Sequence, residues 1–110
     1  MSDDDRPAYP MTINETANQV RLWREETGFV TEHRNILAKL MLVVTECAEA
    51  AEDARHERWD HFGEEIADAI IRLFDIGDSL GYDLEHEIYR KQKINMERPR
   101  RNGIPEASDE

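Results

Sequence analysis

Four stretches of this sequence repeat apolar residues at helical spacing, and none alternates apolar and polar residues as a half-buried strand does. Thr12 and Glu15 form a capping-box signal. Ile13, Ala17, Val20 and Trp23 then keep rough helical spacing, and Gly28 marks an end, so a helix is predicted over residues 13–26. Thr31 is placed to cap a second helix reaching about residue 57. Within it Leu40, Met41, Leu42, Val43 and Val44 are consecutive, so the helix is apolar nearly all round at that point, the pattern of a helix buried on several sides. Residues 58–63, RWDHFG, are expected to form a short connection. At about 100° per residue, the third helix carries Glu65, Asp68, Arg72 and Asp75 on one side and Ile66, Ile70, Leu73 and Phe74 on the other. Gly81 ends it near residue 80, Asp83 can cap a fourth helix to about residue 96, and Pro99 limits further extension. Four helices with short connections predict an all-α domain whose neighbours are mostly antiparallel.

Composition narrows the picture. A chain of 110 residues makes one domain with a modest core. No apolar run approaches the roughly 20 residues needed to cross a membrane, so no membrane partner is expected. The N-terminal MSDDDRPAYP lacks the basic and apolar segments of a signal peptide. A lone cysteine, Cys47, leaves no internal disulfide framework, fits a reducing cytoplasm, and reads as a small buried hydrophobe. The net charge of −11 argues against a nucleic-acid polymer as partner, since that needs a basic footprint. The charge is uneven. Acidic residues crowd the ends, so residues 1–11 read as a disordered tail, 99–110 as a flexible one, and 12–98 as the helical domain. Between positions 90 and 101 the sign reverses: Arg90, Lys91, Lys93, Arg98, Arg100 and Arg101 face only Glu97, a segment suited to a small polyanion.

The candidate chemistry lies in the two central helices. Glu46 and Glu49 are three residues apart, as are Glu65 and Asp68, and residues at that spacing share one helix face. Two such pairs on adjacent helices outline an oxygen-only site for a hard cation, magnesium or manganese rather than zinc. The competing reading makes the acids of the third helix an ordinary solvated face. A turn at residues 58–63 would set Glu65 and Asp68 opposite residues 52–55, so Glu52 or Asp53 can join or replace a member. His33, His56, His61 and His86 form no ligand spacing with the cysteine, and no zinc site is expected. Trp23 and Trp59 can serve as stacking platforms or as core and interface residues.

The acid pairs stand in a longer pattern: TECAEAAED, fifteen residues after Glu49, then EEIADAIIRLFDIGDSLGYDL, with Lys91 and Asn95 spaced K-x-x-x-N and followed by Arg98. This resembles the MazG-like, all-α nucleoside triphosphate pyrophosphohydrolases, whose signature is E-x-x-E, a variable gap, then E-x-x-D. The resemblance covers roughly residues 12–103. It implies an antiparallel four-helix module assembled into dimers or tetramers. It also implies a magnesium-dependent cleavage between the α and β phosphates of a nucleoside triphosphate, releasing a monophosphate and pyrophosphate. On that resemblance Glu46, Glu49, Glu65 and Asp68 are the metal ligands and catalytic residues, and Lys91, Asn95 and Arg98 contact phosphate and sugar. The alternative from another class is a non-catalytic helical module that binds nucleotide or protein partners through its acidic face.

Overall fold

The computed structural model describes residues 11–98 and two short strands beyond them, Arg100–Arg101 and Ile104–Pro105. The predicted tails fall mostly outside the described residues. Four helices form: α1 Ile13–Thr27, α2 Ile36–Arg55, α3 Trp59–Ser79 and α4 Leu84–Glu97. Among the described residues no helix is long and apolar enough to cross a membrane. No strand was expected, yet β1 (Arg100–Arg101) and β2 (Ile104–Pro105) pair antiparallel over two residues each.

Local signals place the ends of α1 and α4. Thr12 Oγ1 accepts from the Glu15 N–H at 3.1 Å, and the Thr12 N–H donates to Glu15 Oε1 at 2.9 Å. Gly28, at φ 77°, closes α1 by donating to the Arg24 carbonyl at 2.9 Å. Asp83 caps α4 through the His86 N–H at 3.1 Å. Thr31 departs from expectation. It is buried, and its hydroxyl donates to Asp75 Oδ2 at 2.6 Å instead of capping α2. A single 3-10 turn, His33–Asn35, leads into α2, with Asn35 Oδ1 accepting from the Glu32 N–H at 2.9 Å.

The α2–α3 connection is shorter than the sequence suggested. Gly63 lies inside α3, and only residues 56–58 separate the helices. Glu57 takes the left-handed conformation at φ 56° that lets the chain reverse so tightly. The Arg58 N–H donates to the Asp53 carbonyl at 2.9 Å, and Arg58 Nε donates to Asp53 Oδ1 at 3.0 Å, which holds the turn closed. Helices α2 and α3 therefore run antiparallel and make the main packing of the molecule.

Helix α1 packs chiefly on α3 rather than on its sequence neighbour α2, a departure from simple neighbour pairing. Arg21 pairs with Asp78, and Arg24 with both Asp75 and Asp78, so α1 also runs opposite to α3. Helix α4 joins at its start: Leu84 sits over Gly77, where a Cβ would lie 2.6 Å from Leu84 Cδ1, and Glu85 accepts from the Asn14 N–H. No residue of α4 is buried, so the four helices do not close into a bundle around it.

The core is small, and α3 is turned opposite to the usual sense. Among the described residues the buried apolar side chains are Ala17, Val20, Ala50 and Ala69. Ile66, Ile70 and Leu73, on the apolar side of α3, are exposed, Ile70 by 47%. Leu37, Met41 and Val44 make a similar exposed stripe on α2, Leu37 by 76%, although the apolar run there had predicted burial on several sides. Cys47, expected to be buried, is exposed. The reason lies in the opposite face of α3: Glu65, Arg72 and Asp75 point inward and meet charged partners on α2 and α1.

Candidate metal centre

The short turn sets the register of the acids. Glu49 and Glu65 each lie eight residues from Glu57, so an antiparallel hairpin centred there places them opposite one another, with Glu46 one turn back on α2. The result is a cluster in which Glu46, Glu49 and Glu65 each offer a carboxylate oxygen, all within 4.8 Å of one another. Glu46 is buried, Glu65 half-buried and Glu49 exposed, so the cluster opens to solvent on the Glu49 side. Oxygens bound to one hard cation at about 2.0–2.6 Å lie at most roughly 5 Å apart, and the cluster fits that span.

Its hydrogen bonding is incomplete. Glu46 Oε1 accepts from Arg72 Nε at 3.2 Å. Glu65 Oε2 is enclosed and has no donor pointing at it. Acceptors that face only acceptors need a proton or a cation between them. In the absence of a cation the proton is the answer. The carboxyls of Glu46 and then Glu49, ready to accept a hydrogen bond from a protonated Glu65, push its carboxyl up to about 8. Loss of hydration and the two neighbouring negative charges act in the same direction. The donor set is all oxygen and carries up to three negative charges, which suits magnesium or manganese.

Asp68 stands apart from the three. It is exposed, and it lines a cavity of about 770 Å³ bounded by α1, α2 and α3. Trp23, Phe29, Lys39 and Arg72 line the same cavity. The Trp23 and Phe29 rings lie 5.5 Å apart, and Lys39 Nζ sits 5.7 Å from the Phe29 centroid. Trp59 is instead at the start of α3, edge-on to Phe62. Glu52 and Asp53 do not enter the cluster. Glu52 pairs with Arg55 and His56, while Asp53 holds the turn through Arg58. Lys91 and Asn95 are on α4 and Arg98 caps its C-terminal end; none of them lines the cavity.

Two features escaped the sequence reading. Arg72 fell on the acidic side of α3 by periodicity, but its bond to Glu46 depends on the hairpin register. The second is a polar network beneath the cavity. Arg24 Nη1 donates to Asp75 Oδ1 at 2.8 Å, Ser79 Oγ donates to the same oxygen at 3.2 Å, and Thr31 holds Oδ2. Burial works against the charge on Asp75, and the bonds from Thr31, Arg24 and Ser79 outweigh it, so its carboxyl stays below the ordinary value. The Arg21 guanidinium, joined by Arg24, depresses Asp78 likewise against a smaller burial effect.

No protein-family model, curated protein or solved structure matches this sequence. The function therefore rests on the residues and their arrangement.

Proposed function

We propose that this chain is a magnesium-dependent hydrolase that cleaves nucleoside triphosphates to monophosphates and pyrophosphate. The observation that carries the reading is the Glu46–Glu49–Glu65 cluster, together with the enclosed Oε2 of Glu65, which accepts from no described residue. Those three carboxylates are the magnesium ligands. A bound magnesium supplies neutralisation of phosphate charge and a water of lowered pKa. Glu65 gives up its proton when the cation is held. Asp68, one turn further along α3 and facing the cavity, is the carboxylate placed to orient a water or to complete the ligand set. The cavity next to Asp68 takes the remainder of the nucleotide, with Trp23 and Phe29 on its wall.

The exposed apolar stripes on α2 and α3 support association with a second copy of the chain. Lys91, Asn95 and Arg98 do not reach the cavity from their own α4, so a second copy is the source from which these side chains can approach a bound phosphate. Light scattering at micromolar concentration should exceed the 12.9 kDa of a single chain.

The deciding experiment is pyrophosphate release from mixed nucleoside triphosphates with and without magnesium, on the parent and on Glu49→Gln. Release that requires magnesium and disappears in Glu49→Gln supports the reading. A magnesium-induced rise in melting temperature without release favours the non-catalytic nucleotide-binding alternative. The absence of both effects would refute a metal site altogether.

A further inference from the structure

Arg72 has an unusual position: it touches the acid cluster and the cavity at once. Its Nε donates to Glu46 Oε1 at 3.2 Å, and its side chain, 41% exposed, lines the cavity beside Asp68. Among the described residues it is the one cation paired with a carboxylate of the cluster. Its two terminal nitrogens, Nη1 and Nη2, donate to no described residue. The arginines of the α1–α3 network differ: Arg21 uses Nε and Nη2 on Asp78, and Arg24 uses Nη1 on Asp75 and Nη2 on Asp78. Lys39, the other cation on the cavity wall, lies over the Phe29 ring.

A guanidinium fixed at Nε, on a side chain that lines an open cavity and with both terminal NH2 groups unengaged by any described residue, has the fork geometry that binds phosphate oxygens in pairs. Without a cation this fork cannot serve an anion well. The cluster beside it is negative and repels phosphate, and Arg72 itself is drawn to Glu46. A divalent cation held by Glu46, Glu49 and Glu65 removes both obstacles, because it cancels the cluster charge and competes with Arg72 for Glu46. We infer that Arg72 is a phosphate-binding residue of this site, held by Glu46 in the metal-free protein and made available to a phosphate or pyrophosphate group when the cluster holds its cation. The inference rests on the proposed metal site, and it adds a phosphate contact from α3 of the same chain. It predicts an order of binding, cation before anion.

The test uses the full chain, inorganic pyrophosphate as probe, and isothermal titration with and without saturating magnesium. The parent should bind pyrophosphate only when magnesium is present. Arg72→Gln should bind it on the order of 10- to 100-fold more weakly, the effect of losing charge-assisted hydrogen bonds. Arg72→Lys, which keeps the charge without the fork, should fall between the two. Magnesium affinity, read by thermal shift without pyrophosphate, should be unchanged or higher in Arg72→Gln, since Glu46 loses a competing cation. A merely structural Arg72 would lower both affinities together, and that result overturns the inference. Arg72→Gln that binds pyrophosphate within twofold of the parent also overturns it, while leaving the metal site standing. If Arg72→Gln does not fold, Arg72→Lys decides alone: parent-like pyrophosphate affinity overturns the inference, and a loss with normal magnesium affinity supports it. A parent that binds no pyrophosphate even with magnesium refutes the functional reading as well.

Discussion

The proton on Glu65 gives the proposed metal centre a measurable signature. With its carboxyl at about 8, Glu65 is about nine-tenths protonated at pH 7 and about one-tenth protonated at pH 9. A cation bound by the deprotonated carboxylate must displace that proton. Magnesium binding should therefore release about 0.9 proton per site at pH 7, falling to about 0.1 at pH 9. The sign for stability follows from the same shift. An unfolded glutamate titrates near 4.5 while the folded one holds its proton to about 8, so between those values the folded state binds more protons. The metal-free fold is then most stable at the acid end of that window and loses stability as pH rises through it, levelling off above about 8. Glu65→Gln mimics the protonated side chain. Without metal it should melt close to the parent near pH 4.5 and increasingly above it as pH rises to about 8, with little further gain beyond. The assay is titration calorimetry of magnesium at pH 7 and pH 9 in two buffers of different ionisation enthalpy, together with melting curves of both proteins from pH 4.5 to pH 8. Magnesium binding at pH 7 with no proton released, or a Glu65→Gln gain no larger at pH 8 than at pH 4.5, would show that no proton is held among these carboxyls.

Other substitutions test the scaffold that places the site. Arg24→Ala leaves Asp75 and Asp78 short of a partner in a partly buried setting, and urea denaturation should show a loss on the order of 3 kcal/mol. Because both aspartates are held below their ordinary value, their contribution is present at neutral pH and disappears as pH falls below about 3.8, so the Arg24→Ala defect should shrink in acid. Gly63→Ala, at a helical position where a Cβ meets nothing within 4 Å, should stabilise by about 0.4–1 kcal/mol. Gly77→Ala should destabilise by roughly 1–3 kcal/mol through the clash with Leu84, and adding Leu84→Ala should recover part of the loss. Glu57→Gly relieves a left-handed non-glycine residue and should raise stability by about 1 kcal/mol in the same denaturation series.

What could be read in the sequence was local. The Thr12–Glu15 capping box, the Gly28 terminus and the Asp83 cap depend on residues three or four apart, and all three form. The α2–α3 turn was misplaced because Gly63 looked like a turn residue, while the true reversal uses Glu57, a residue with no turn signature. That error of a few residues shifted the expected facing of the acids by about two turns, and it is why Glu52 and Asp53 seemed possible members. Thr31 looked like a cap because its alternative partner, Asp75, is 44 positions away and invisible to local reasoning. The acid face of α3 was correctly grouped, but periodicity alone cannot say which face turns inward.

That last ambiguity joins the site to the surface. A helix with one charged and one apolar side can bury only one of them against a given neighbour. Here Glu65, Arg72 and Asp75 face α2 and α1, where an acid cluster and two arginines await them. Ile66, Ile70 and Leu73 are left outside by the same rotation. A solvated acidic face, the competing reading, requires the opposite rotation: apolar residues inward and carboxylates outward. The enclosed oxygen of Glu65 and the buried Glu46 are incompatible with it. The outward apolar stripe is thus the counterpart of the inward carboxylates, and a single orientation of α3 creates both the carboxylate cluster proposed to hold a cation and the surface proposed to meet a second copy.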